Sequence, residues 1–99
     1  MAFQYRFEWD AAKARQNVRK HRVTFERGAT VFLDPNALSL FDAQHSEDEE
    51  RWITLGLDRT GALLVISHTY REETETIARV RLISARKATN NEAKQYERT

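Results

Sequence analysis

Ninety-nine residues, 40% of them hydrophobic and 31% charged, suffice for one domain (1–99) and argue against a disordered or low-complexity chain. The absence of cysteine excludes a disulfide framework and thiolate metal sites, and no stretch approaches the roughly 20 apolar residues of a membrane span, so a cytoplasmic protein without a membrane partner is expected. A net charge of +1 selects no partner by itself, but six basic residues lie between Ala11 and Arg27, six more between Ile77 and Thr99, and the acidic run Asp42–Glu50 separates them.

Phe3, Tyr5 and Phe7 alternate with polar residues, the period of a half-buried strand. Asp10 caps a helix whose stripe Ala11, Ala14, Val18 and His21 faces inward, while Arg15, Arg19 and Arg22 form a basic ridge. Thr24 caps a second helix with Phe25, Ala29 and Phe32 buried; Gly28 weakens it, and Asp34-Pro35 stops it. Strands follow at Ala37–Leu40, Arg51–Leu57 and Leu63–Tyr70, the last two joined by the turn Asp58-Arg59-Thr60-Gly61. After the connection Arg71–Glu75 comes a last strand, Ile77–Ser84, with Val80 and Leu82 on one face and Arg79, Arg81 and Ile83 on the other. Thr89-Asn90-Asn91-Glu92 has capping-box spacing and opens a final helix from about Asn90 to Glu97.

Short connections between strands predict an antiparallel sheet, and the apolar stripes of the two N-terminal helices require both to pack on one face of it. The fold class is therefore α+β, with a small antiparallel sheet, two N-terminal helices on one face and a C-terminal helix. Arg79 and Arg81 then stand on the uncovered face. Arg86 and Lys87 sit where the last strand meets the final helix, ahead of its cap, so their conflict with the helix dipole is mild.

Across the chain the residues Phe7-Glu8-Trp9-Asp10, Asn17, Lys20-His21, Phe25, Ala29, Val31-Phe32, Asp34-Pro35, His45, Glu50-Arg51, Gly56, His68, Arg71 and Ile83-Ser84-Ala85-Arg86-Lys87-Ala88 form a specific combination. In them the chain resembles the BrnT family of type II toxins, which share the RelE-like ribonuclease fold. It departs from that pattern at Arg27-Gly28, where the family more often has small or acidic helix formers. The resemblance implies cleavage of RNA, inhibition of translation, and neutralisation by a BrnA-like, ribbon–helix–helix DNA-binding antitoxin. Operator DNA would be reached only through the complex.

RNA carries its own nucleophile, the 2′-hydroxyl, so cleavage needs a base, cations for the charge that develops on phosphorus, and a proton for the leaving oxygen. No metal or other cofactor is required, and His21, His45 and His68 form no metal-binding pair at helical spacing. Arg86 and Lys87 are the first candidates to hold the scissile phosphate; the alternative for Arg86 is a salt bridge to the final helix or the acidic loop. Arg71 and His68 complete the expected catalytic group, with Tyr70 between them, at a strand end that can line a cleft; His68 is read equally well as a packed core histidine. Arg79, Arg81 and Lys20 are expected to follow the RNA backbone. Glu50 is either a base or a partner of Arg51, and Trp9 and Trp52 either stack bases or pack. Two other function classes stand beside it: a non-catalytic nucleic-acid-binding module that grips through the same cations, and a protein–protein adaptor that uses the acidic loop and the tryptophans while the basic ends are decoration.

Overall fold

The computed structural model describes residues 3–98, so Met1, Ala2 and Thr99, the ends of the expected domain, lie outside the described residues. In chain order the elements are β1 (Gln4–Glu8), α1 (Ala11–His21), α2 (Phe25–Thr30), a 3-10 turn (Val31–Leu33), β2 (Leu38–Phe41), a second 3-10 turn (Ala43–His45), β3 (Arg51–Leu57), β4 (Leu63–Thr69), β5 (Arg71–Glu72), β6 (Ile77–Lys87) and α3 (Asn90–Glu97). The six strands form one sheet in the order β1-β6-β4-β3-β2, with the short β5 also paired to β6.

The sheet is mixed, which corrects the expected antiparallel arrangement. β1 runs parallel to β6, with Arg6 beside Arg79 and Glu8 beside Arg81, while the other pairings are antiparallel. Short connections do enforce antiparallel pairing, but β1 has no short connection to its neighbour. Nearly the whole chain is the crossover between them. The expected connection after Arg71 begins as β5, and the last strand continues past Ser84 to Lys87.

The expected caps are present. Asp10 accepts from the Lys13 amide at 2.9 Å, Thr24 from the Arg27 amide at 3.1 Å, and Thr89 and Glu92 complete the capping box of α3. Gly61 closes the β3–β4 turn at φ +86°, a conformation that costs glycine no Cβ clash. Gly28 explains itself by contact: a Cβ there would lie 3.2 Å from Ile66 Cδ1 and Leu82 Cδ2 and 3.3 Å from Ala85 Cβ. Its missing side chain lets α2 lie close on β4 and β6, and the core forms there from Val23, Phe25, Val31, Leu64, Ile66, Val80, Leu82 and Ala85. α2 itself is shorter than expected, its last turn tightening to 3-10 geometry before Asp34.

In α1 the buried residue is Asn17, not a member of the expected apolar stripe, and Val18 is 38% exposed. Asn17 donates to the Val23 carbonyl at 2.9 Å and the Ala85 carbonyl at 2.8 Å, and accepts from the Ala85 amide at 3.1 Å. β1 pairs with β6 only as far as Arg81, so beyond that point Asn17 takes the place of a neighbouring strand.

One irregularity in β6 decides where the cations go. Ser67 pairs with Ser84 and His68 with Leu82, leaving Ile83 as a bulge. A one-residue bulge shifts the alternation of every side chain beyond it. Leu82 and Ala85, three residues apart, therefore both face α2, and Arg86 joins Arg79 and Arg81 on the opposite face. Regular alternation would have turned Arg86 into the core. No helix among the described residues is long and apolar enough to cross a membrane.

Candidate RNA-cleavage site

On the face turned away from α2, the end of β4, the short β5 and the first half of β6 enclose a cleft of about 370 Å³. Arg71, Arg79 and Arg81 line it together with Glu8, Glu49, Glu50, Thr69 and Tyr70. The pairing register puts Arg71 beside Arg79 and Glu8 beside Arg81, so two strands flanking β6 bring these groups to one place.

The arginines do not stand bare. Arg79 holds Glu73 through its Nε and reaches Glu8 Oε2 from Nη1 at 3.2 Å, and Arg81 pairs through Nη2 with Glu49 of the acidic loop. The Arg79 hydrogen bond holds the Glu73 carboxyl below its usual range, and the two carboxylates, Glu73 foremost, push the Arg79 guanidinium up. Burial, helped by the Glu72 charge and by Tyr5, raises the Tyr70 hydroxyl and keeps it protonated at neutral pH. Among the described residues no carboxylate lies within ion-pair distance of Arg71.

The other sequence candidates are placed elsewhere. Arg86 is five residues along β6 from Arg81, a separation of about 15 Å at strand rise. It grips Glu92 with a fork of 2.8 and 2.9 Å, the salt bridge to the final helix that was the alternative to phosphate binding. That fork, against partial burial and with help from the Thr89 amide, brings the Glu92 carboxyl down to about 2. Lys87 is exposed at the end of β6, without an ion pair among the described residues. Lys20 lines a separate hollow of about 260 Å³ with Lys13, His21, Ile83 and Ser84.

His68 does not share the arginine cleft. It is 2% exposed, lies edge-on to Phe32 at 4.8 Å, and lines a different cavity on the α2 side. Its Nδ1 lies 2.9 Å from the Thr69 carbonyl and its Nε2 2.7 Å from the Thr54 hydroxyl, so both ring nitrogens are engaged. Burial, outweighing the Thr69 bond, lowers its pKa and keeps it neutral. Trp9 packs on Phe25 and Trp52 on Phe41. His45 pairs with Asp42.

Sequence reading missed Glu49 and Glu8 as members of the site. Glu49 sits in an acidic run that read as one solvated loop, and its partner Arg81 is 32 residues away, so no local pattern marks the pair. Among the described residues no group of three His, Asp or Glu side chains is arranged to hold a metal ion.

The departure at Arg27-Gly28 also acquires a reason. Arg27 donates from Nε to the buried Asp58 at 2.9 Å, and Asp58 further accepts from Thr60 N (2.8 Å), Thr60 Oγ1 (2.6 Å) and Ala62 N (3.0 Å). Burial works to raise the Asp58 carboxyl, but these bonds outweigh it and bring it to about 2. Asp58 and Glu92 both titrate lower folded than unfolded, where carboxyls sit at about 4. The unfolded chain therefore takes up protons first. The stability these groups contribute should be complete above about pH 5 and lost progressively toward pH 2. Urea denaturation at pH 7 and pH 3 checks this, and Asp58→Asn should flatten the difference between the two.

The pattern of a ribonuclease toxin, BrnT, of type II toxin–antitoxin systems matches residues 9–92. No curated protein matches the chain by sequence. Among solved structures, the Brucella abortus ribonuclease toxin BrnT superimposes with a TM-score of 0.62 at 17% identity, covering 88% of this chain and 100% of that one. That likeness shows the fold, and the match over 9–92 shows the family. The chain belongs to the BrnT family of ribonuclease toxins of type II toxin–antitoxin systems.

Proposed function

We propose that the chain is a metal-independent endoribonuclease whose cleavage site is the cleft of Arg71, Arg79 and Arg81. The observation that carries this reading is the meeting, in one hollow, of those cations with the carboxylate of Glu49. Incoming phosphate competes with Glu49 for Arg81 and frees the carboxylate to accept the proton of the 2′-hydroxyl. The 2′-oxygen forms its bond to phosphorus, the bond to the 5′-oxygen breaks, and that oxygen takes back, through water, the proton that Glu49 had accepted. Arg81 and Arg79 neutralise the charge that develops on the phosphorane. Arg86, Lys87 and Lys20 extend the contact along the RNA backbone, and the neutral, doubly bonded His68 acts by position and not by proton transfer.

The wider reading is a cytoplasmic, RelE-like domain over 1–99, with both N-terminal helices on one side of the sheet and the scissile phosphate on the other. It inhibits translation, and it is neutralised by a BrnA-like DNA-binding antitoxin through which alone operator DNA is reached. Family membership supports the RNA substrate and the antitoxin partner.

Purified protein incubated with single-stranded RNA and a chelator tests the chemistry. Products ending in a 2′,3′-cyclic phosphate and a 5′-hydroxyl are expected, at a rate unchanged by the chelator. Salt-sensitive binding without turnover would make the chain a binding module instead. Cleavage that stops on chelation would remove the mechanism.

A further inference from the structure

A second cavity, of about 210 Å³, opens on the α2 side of the sheet, lined by Tyr5, Phe32, Ser39, Trp52, His68 and Tyr70. None of these carries a formal charge while His68 is neutral. The rings are held by neighbours: Tyr5 against Phe32 at 5.4 Å, Phe32 against His68 at 4.8 Å, and Trp52 against Phe41 at 5.4 Å. Tyr70 is a wall of this cavity and of the arginine cleft alike. A ligand that spans both has a flat uncharged part for the rings and an anionic part for the cations. A nucleotide has that form.

The polar rim has a direction. The Thr69 carbonyl can only accept, so His68 Nδ1 carries the proton and the neutral ring's Nε2 must accept. Thr54 then donates to Nε2 at 2.7 Å, and its oxygen receives the Ser39 hydroxyl proton at 2.8 Å. This leaves the exposed Ser39 Oγ with only lone pairs to offer at the cavity mouth. Buried His68 is thus a positioning residue, since it orients a chain of hydroxyls that ends in an acceptor.

We propose that this cavity is a nucleobase subsite, stacking one base beside the scissile phosphate and preferring bases that present an exocyclic amino group to Ser39. The assignment rests on the ribonuclease reading for the phosphate next door. The test is fluorescence titration with the four nucleoside 5′-monophosphates and with ribose 5-phosphate. It uses the Trp9→Phe protein, in which Trp52 is the only indole, and the two tryptophans of the chain make that single change sufficient. Saturable quenching is expected from AMP, CMP and GMP, weaker quenching from UMP, and none from ribose 5-phosphate. Ser39→Leu, which fills the cavity from an exposed edge strand, should weaken the nucleotide response at least about tenfold. Should Trp9→Phe unfold, the unsubstituted chain serves, read as the part of the signal that Ser39→Leu removes. Quenching by ribose 5-phosphate equal to that by nucleotides, no response to any nucleotide, or a response untouched by Ser39→Leu overturns the subsite. RNA cleavage measured on the same samples separates the two readings. Cutting without nucleotide contact at Trp52 leaves the ribonuclease and removes the subsite. Nucleotide contact without cutting keeps the subsite and removes the ribonuclease.

Discussion

Arg81→Ala should slow RNA cleavage by about 10²- to 10³-fold, the cost of losing one preorganised group aimed at transition-state charge. Its fold should hardly notice. The Arg81–Glu49 pair is about two-fifths exposed at each side chain, and such surface pairs are worth under about 1 kcal/mol. Glu49→Gln separates two roles for the partner. If Glu49 is the base, the variant loses kcat with an unchanged or lower KM. If Glu49 only masks Arg81, the variant binds RNA more tightly and cuts faster, and the base must be sought elsewhere. Arg86→Ala is a poorer probe of chemistry. It strips Glu92 of its forked partner beside the α3 cap, so lost activity would be mixed with a loosened helix.

Asn17→Ala should cost about 3–5 kcal/mol of folding stability, from three buried backbone groups left without partners at about 1–3 kcal/mol each and some relaxation around them. A domain of this size has about 5–15 kcal/mol in total, so the variant sits near the edge of folding. The urea midpoint at neutral pH reads the effect. Asn17→Asp should be no better, because a carboxylate cannot donate to the Val23 and Ala85 carbonyls and would be charged at 6% exposure. A loss below about 1 kcal/mol for alanine would mean that water reaches the β6 edge and that Asn17 is not standing in for a strand.

Much of this was legible in the sequence because it is local. The caps at Asp10, Thr24 and Thr89, the bounds of α3, the strand Arg51–Leu57 and the turn closed by Gly61 each rest on chemistry within a few residues. The placing of Arg79 and Arg81 on the face opposite Val80 and Leu82 needs only alternation, and it held as far as alternation held. The bulge at Ile83 broke it, and nothing in Leu82-Ile83-Ser84 announces a bulge, since any of the three tolerates regular strand geometry. The parallel pairing of β1 escaped for another reason: the partner lies some 70 residues away, and Phe3, Tyr5 and Phe7 read the same in either direction. Of the site, the arginines were visible by type. Glu49 was not, because a carboxylate in an acidic run is chosen as a partner only by where the loop lands. His68 was visible as a choice between core and chemistry, and the choice turned on which side of the sheet its side chain takes.

β6 lies between β1 and β4 and also carries β5, so it supplies two of the cleft's three arginines and the register that brings Glu8 and Arg71 beside them. Among the described residues it is also the last strand to be made. A nascent chain that has emerged only as far as β4 holds Glu8 and Glu49 but has nowhere to put them, and β1 waits for β6 as its neighbour. The cleft thus comes into being all at once, when β6 leaves the ribosome, and a product truncated before β6 carries no assembled cleft.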